Sequence, residues 1–295
     1  QYPDDPTDVS YATMLMAARM NETQANTLEE QADNSVDDSQ SIYLQYEMVE
    51  KSLVLTTKLN RISYQQKLLA NALNQENRAL QEALYQSAQV QASVGMATQM
   101  DVLSAKQALE ELDAAIISDL RDTQTLKQQL CLATGWSYDA DPVFGELPLV
   151  DYAQISAIDP AADQAAAIEN NYTLKINQRK FDNSTNANTK ESLQTTIRDN
   201  RQNIASDVST KYQSLLQAQA SYELALAQQQ VEAQNMAAME RKLQTGTASQ
   251  LEYKQQSYAL SAKNTAVETA ALSLLSAWET YNGAVNGLAS ASASS

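Results

Sequence analysis

Apolar residues recur three and four positions apart over most of the chain, the spacing that lines one face of an α-helix. Leu68, Leu69, Leu73, Leu80 and Leu84 form one such stripe, and Tyr212, Leu215, Leu216, Tyr222 and Leu226 another. Long helices are predicted over 39–93 and 189–244, each on the order of 80 Å in length. Further stripes run from Met100 through Leu109 and Ile116 to Leu130, and from Leu251 through Tyr258 and Val267 to Tyr281. They predict helices over 99–134 and 250–286, with spacings that suit coiled-coil-like packing side by side. Shorter helices are expected over 6–33 and 160–181. Each opens on Asp-Pro (Asp5-Pro6, Asp159-Pro160), a carboxylate N-cap followed by proline where its missing N–H costs nothing. Both run into segments rich in Asn and Asp, around Asn34 and Asn186. Such residues favour turns, so a break is expected there; continuous helix is the alternative, because neither segment contains Gly or Pro.

The punctuation between these stripes repeats. Gly95 has a counterpart in Gly246, Pro6 in Pro160 and Gly135 in Gly287, at offsets of 151, 154 and 152 residues. The chain is therefore a tandem duplication of one helical unit of roughly 150 residues. The units are 1–135 and 160–287, joined by a Pro-containing linker over 136–159 and followed by an Ala/Ser tail, 288–295, expected to be disordered. Val94-Gly95-Met96-Ala97-Thr98-Gln99-Met100-Asp101 aligns position by position with Thr245-Gly246-Thr247-Ala248-Ser249-Gln250-Leu251-Glu252. Each glycine ends the incoming helix in the left-handed conformation, and Thr98 with Asp101, like Ser249 with Glu252, forms the capping box that starts the outgoing one. These are two helical hairpin tips. The fold class is all-α: an elongated antiparallel bundle in which each long helix runs beside two shorter ones stacked end to end.

Composition supports extension over a spherical core. Aromatic residues make up only 6% of the chain, and small residues fill many apolar positions. A net charge of −16 repels nucleic acid and anionic membrane surfaces alike. With no histidine and a single cysteine, Cys131, the chain cannot build a zinc site or a His-based triad alone. Cys131 lies in an apolar run and reads as a small buried residue. No catalytic residue and no cofactor is assigned, and no stretch approaches a membrane span. The chain opens on Gln1, which fits a removed signal peptide and an extracytoplasmic location.

The two tips with their following helices, from Val94-Gly95 through Val102-Leu103 to Leu132-Ala133-Thr134-Gly135, and from Thr245-Gly246 through Leu251-Glu252-Tyr253 to Gly287, resemble the TolC family of outer-membrane efflux ducts. The duplication, the helix plan and the linker match the family over nearly the whole length. The resemblance implies a homotrimer enclosing a hollow helical cylinder. Its tips (Val94, Gly95, Met96, Thr98, Asp101, Thr245, Gly246, Thr247, Ser249 and Glu252) would dock on a membrane-fusion adaptor of an efflux pump. It also implies lumen-facing carboxylates, for which Glu252 and Asp101 are the candidates. There are two departures. Family members carry a β-hairpin between the first and second helices of each repeat, whereas this chain has only the polar segments near Asn34 and Asn186. The chain thus reads as a barrel-less relative, from a bacterium without an outer membrane or engineered to lose the hairpins. The tyrosine and arginine that often lock the family's entrance are also missing, their neighbourhood here being Leu243 and Ala248.

Local readings compete with these. Asp101 and Glu252 are explained as capping-box residues by their spacing alone. Trp136 and Trp278 read as anchors of linker and helix ends. The Gln228-Gln229-Gln230 run is either a solvated helix face or a lumen lining. The functional expectation is a non-catalytic export component, a duct or adaptor-docking assembly; the alternative is a structural helical spacer that binds a partner through its tips.

Overall fold

The structure, a computed structural model, describes residues 36–292 together with 16, 19, 20 and 22–24. The first helix expected over 6–33, and the turn near Asn34, lie mostly outside the described residues. Helix α1 (Ser39–Ser93) leads through the first tip into α2 (Gln99–Ala133). The linker contains a short helix, α3 (Tyr152–Ser156). The second unit comprises α4 (Pro160–Asn170), α5 (Tyr172–Asn183), α6 (Ala187–Gln244) and α7 (Gln250–Gly283). Helix α7 closes in a wide π-type turn, Ala284–Leu288. No strand occurs among the described residues.

Packing follows a simple lateral order. Helix α2 lies on α1, α1 on α7, and α7 on α6, so four helices form one layer with α2 and α6 at its edges. Because α7 runs antiparallel to both α1 and α6, the two long helices point the same way and both tips share one end. The seams in the shaft are largely polar. Arg78 bonds Asp113 at 2.5 Å between α1 and α2, Lys67 reaches Asp119 and Asp122, and Lys58 pairs with Glu279 at 2.8 Å between α1 and α7. These pairs are partly exposed and contribute modestly to stability. They fix register more than they stabilise.

The apolar core sits at the other end. Ile155, Leu174, Ile204, Val208, Leu215, Leu274 and Tyr281 are buried together there, drawn from α3, α5, α6 and α7. Trp278 packs against this cluster, as expected of an anchor, whereas Trp136 is 57% exposed. Tyr281 donates a 2.6 Å hydrogen bond to the Asp163 carboxylate on α4. Arg61 ties the linker across α1 by donating to the Gly145 carbonyl at 2.7 Å and lying over the rings of Tyr64 and Phe144. Cys131 is fully buried, as its apolar surroundings predict.

Three features differ from the sequence reading. The helix expected over 160–181 is two helices, because Asn171 leaves the helical region (φ −60°, ψ 121°) and its side chain caps Leu174 N–H at 3.0 Å. The linker contains a helix that the sequence reading did not assign: Asp151 caps Ala153 N–H at 2.9 Å and starts α3, which buries Ile155. The tail is not disordered over 288–292, where Ala289 and Ala291 are buried in the core; the remaining residues 293–295 lie outside the described residues. The break between α5 and α6 is present, spanning Ser184 to Asn186, with Asn186 capping Asn188 and Thr189.

Candidate functional site

Both tips form by the same local chemistry. At the first, Gly95 takes φ +75°, which lets Met96 N–H donate to the Gln91 carbonyl at 2.8 Å and Gly95 N–H to Ala92 at 3.1 Å. At the second, Gly246 takes φ +71°, with Thr247 N–H on Lys242 at 2.8 Å and Gly246 N–H on Leu243 at 3.0 Å. Each set satisfies carbonyls that the helix end would leave orphaned. A side chain at either glycine would meet open space, so the requirement there is backbone conformation alone.

The outgoing helices start with reciprocal caps. The Thr98 hydroxyl accepts Asp101 N–H at 3.2 Å while the Asp101 carboxylate accepts Thr98 N–H at 2.7 Å. Ser249 and Glu252 repeat the pattern at 3.2 and 2.7 Å. The backbone N–H of Thr98, followed by its hydroxyl, holds the Asp101 carboxyl below the usual carboxylate range, and Ser249 does the same for Glu252. Both residues are thus exposed, ionised capping groups. One carboxylate oxygen of each, Asp101 Oδ2 and Glu252 Oε2, accepts both the backbone N–H and the hydroxyl of its own cap.

The tips nevertheless differ in what they present. Around Gly95 the surface is apolar, with Val90, Val94, Met96, Met100 and Leu103 all more than half exposed. Around Gly246 it is polar: Thr245 and Thr247 share a 3.0 Å hydrogen bond, and Arg241 and Lys242 lie in the last turn of α6. The duplicated backbone therefore carries two unlike surfaces. The shared residues are the ones that make the turn, and the difference lies at the others, such as Val94 against Thr245 and Met96 against Thr247.

The layer edges were not anticipated as sites. On α2, Leu103, Ile117 and Leu120 are 60, 69 and 53% exposed; on α6, Leu224 and Val231, one heptad apart, are 59 and 58% exposed. Their periodicity was legible, but not which helices would lie outermost. The glutamine run turns partly inward, since Gln228 accepts from Lys263 and Gln229 donates to Asn264, both at 2.9 Å on α7. No described helix is long and apolar enough to cross a membrane. Between α5 and α6, three residues leave no room for a strand pair.

Solved structures share this fold. A membrane protein from Pseudomonas aeruginosa superposes with a TM-score of 0.63 at 13% identity, over 84% of this chain and 68% of its own. The Campylobacter jejuni CmeC outer membrane channel superposes with a TM-score of 0.53 at 11% identity, over 86% of this chain and 66% of its own. The chain thus spans about two thirds of each. No family model matches the sequence, and no curated protein is similar to it. At these identities the likeness is one of fold: the all-helical, TolC-like arrangement expected from the tips.

Proposed function

We propose that the chain is the subunit of a helical duct in an extracytoplasmic export system, assembled as a homotrimer and docking on a membrane-fusion adaptor through its tips. The observation that carries this reading is the open four-helix layer. A single layer buries few side chains in its shaft, and among the described residues its two edge helices each expose an apolar stripe. The stripes sit on opposite edges, α2 and α6, so one copy's α6 fits the next copy's α2. Such a head-to-tail contact must either close into a ring or run on as a filament. Closure into a ring would leave both tips of every copy at one mouth.

In this assembly the apolar first tip (Val94, Gly95, Met96, Thr98, Asp101) is the principal adaptor contact, and the second (Thr245, Gly246, Thr247, Ser249, Glu252) supplies its polar counterpart. Asp101 and Glu252 stay ionised, so in a ring they present negative charge at the mouth while capping their helices. The chain takes no part in chemistry. The likeness of fold to a channel supports the duct over a solitary spacer. Light scattering across a concentration series tests it. Three copies of the 32.4 kDa chain give a species of about 97 kDa; a monomer persisting at high concentration refutes the self-assembled duct.

A further inference from the structure

The segment that follows α7 is held by side-chain hydrogen bonds in addition to the burial of Ala289 and Ala291. Asn171, fully buried, donates to the Ala289 carbonyl at 2.8 Å. Asn200 and Asn203 on α6 both donate to the Ala291 carbonyl, at 2.5 and 3.1 Å. Between them, Ser290 N–H donates to the Asp207 carboxylate at 2.8 Å. Asn177 in turn fixes the Asn200 amide through a 2.8 Å bond. Three consecutive residues are therefore held through carbonyl, amide and carbonyl, the first of them extended at φ −61°, ψ 143°. Ala289 and Ala291 point into the core, 5 and 6% exposed, while Ser290 and Ser292 face out. Two sockets of alanine size and a row of amides make a cradle for an extended peptide.

The duplication shows that this is not a by-product of helix packing. At the offset of 151 residues that relates the tips, Asn200, Asn203 and Asp207 correspond to Val49, Ser52 and Thr56. None of these side chains carries an amide or a carboxylate. After Gly135, the counterpart of Gly287, the chain continues as Trp136-Ser137-Tyr138, whose aromatic side chains are more than half exposed. Only the second unit carries the asparagines, and only its tail has small side chains at alternate positions. The bound segment is also short, neutral and open on its outer side, where a groove lined by Val49, Ser52 and Thr56 adjoins it.

We propose that this cradle is a peptide-binding site for extended, neutral segments with alanine-sized side chains at alternate positions, filled in cis by Ala289–Ala291 and open to the same sequence in trans. Recognition is by backbone hydrogen bonds for direction and by socket size for selectivity. Bound in cis, the segment latches the end of α7 to α4, α5 and α6.

The test uses two ways of vacating the site: a chain ending at Leu288, and the full chain carrying Ala291→Glu. A fluorescein-labelled peptide of residues 288–295 is titrated into each and followed by anisotropy. Saturation at one site per chain is expected for both variants, with the unaltered chain binding at least about tenfold more weakly because its own segment competes. Asn200→Ala with Asn203→Ala in the shortened chain lowers affinity about tenfold. A peptide with leucine at both alanine positions fails to bind, since the sockets cannot hold it. Three results overturn the proposal: no saturable binding to either variant while circular dichroism shows intact helices, equal binding of the leucine peptide, or loss of helical signal in both variants. The last would make the segment a fixed piece of core.

Discussion

Replacing Gly287 by alanine and, separately, Gly95 by alanine distinguishes conformational strain from steric strain in one fold. Both glycines have positive φ, +106° and +75°. An L-residue in the left-handed region costs about 1–2 kcal/mol, and the narrower unfolded ensemble of alanine returns about 0.4–1 kcal/mol. At Gly95 nothing else enters, because an added Cβ meets no atom within 4 Å. Gly95→Ala should therefore lower stability by roughly 1 kcal/mol. At Gly287 the same Cβ would lie 2.7 Å from the Asn170 carbonyl oxygen and 3.1 Å from the Tyr172 ring. Asn170 is the last residue of α4 and its side chain also donates to the Val285 carbonyl at 3.2 Å, so its backbone cannot retreat alone. Overpacking of this kind adds about 1–3 kcal/mol, for a total of roughly 2–4 kcal/mol. Equilibrium urea unfolding, followed by far-UV circular dichroism and by tryptophan fluorescence, gives the midpoints for both variants. Equal losses, or a larger loss at Gly95, would refute the account of Gly287 as a close-approach position.

Other consequences follow from single contacts. Tyr281→Phe deletes the bond to Asp163 and should cost about 1.5–3 kcal/mol at neutral pH, measured by the same urea titration. Burial, reinforced by the Asp163 hydrogen bond, pushes the Tyr281 hydroxyl well above its ordinary value of 10. The folded state then holds a proton that the unfolded state releases, so stability falls as pH rises above about 10, and Tyr281→Phe should flatten that decline. Asp38, which caps α1 and pairs with Arg179 at 2.6 Å, is the opposite case. The Ser41 N–H, with smaller contributions from Asn183 and Arg179, lowers its carboxyl from 3.8 to about 2. Its contribution is present above the ordinary value and lost as pH falls towards 2, and Asp38→Asn should remove that acid-side dependence in hydrogen exchange at Ser41 while preserving the cap. At the layer edges, Leu120→Glu or Leu224→Glu should shift the light-scattering mass to the 32.4 kDa chain without loss of helical signal.

The tips were legible because everything that makes them is local. A glycine in the left-handed conformation and a hydroxyl three residues before a carboxylate specify the turn within eight positions, and both sets appear where the spacing put them. The long helices were legible for a related reason: uninterrupted periodicity with no Gly or Pro. What lay beyond reach depends on partners distant in sequence. The stripe on α1 could pack on α2, α6 or α7, and only the tertiary structure shows that α7 occupies the middle of the layer. The break at Asn171 was hidden because its amide is fully satisfied only when Ala289 arrives from 118 residues away.

The tail shows the same limit from the other side. An Ala/Ser segment has too little apolar surface to fold by itself, and composition alone reads it as disordered. Its order comes instead from Asn171 at the cap of α5, from Asn200, Asn203 and Asp207 on α6, and from burial of Ala289 and Ala291. Asparagines on a helix lower its propensity and look like weak points in a stripe. Here Asn200, 8% exposed, completes its hydrogen bonds with Asn177 and Ala291, and only the assembled second unit supplies both partners. The first unit, with Val49 at the corresponding position, keeps the helix and lacks the clasp. Two copies of one backbone have thus come to differ in the residues that do not build the backbone. Divergence of the same kind separates the two tips, where Val94 and Met96 stand opposite Thr245 and Thr247 while the turn-forming glycines and caps are shared.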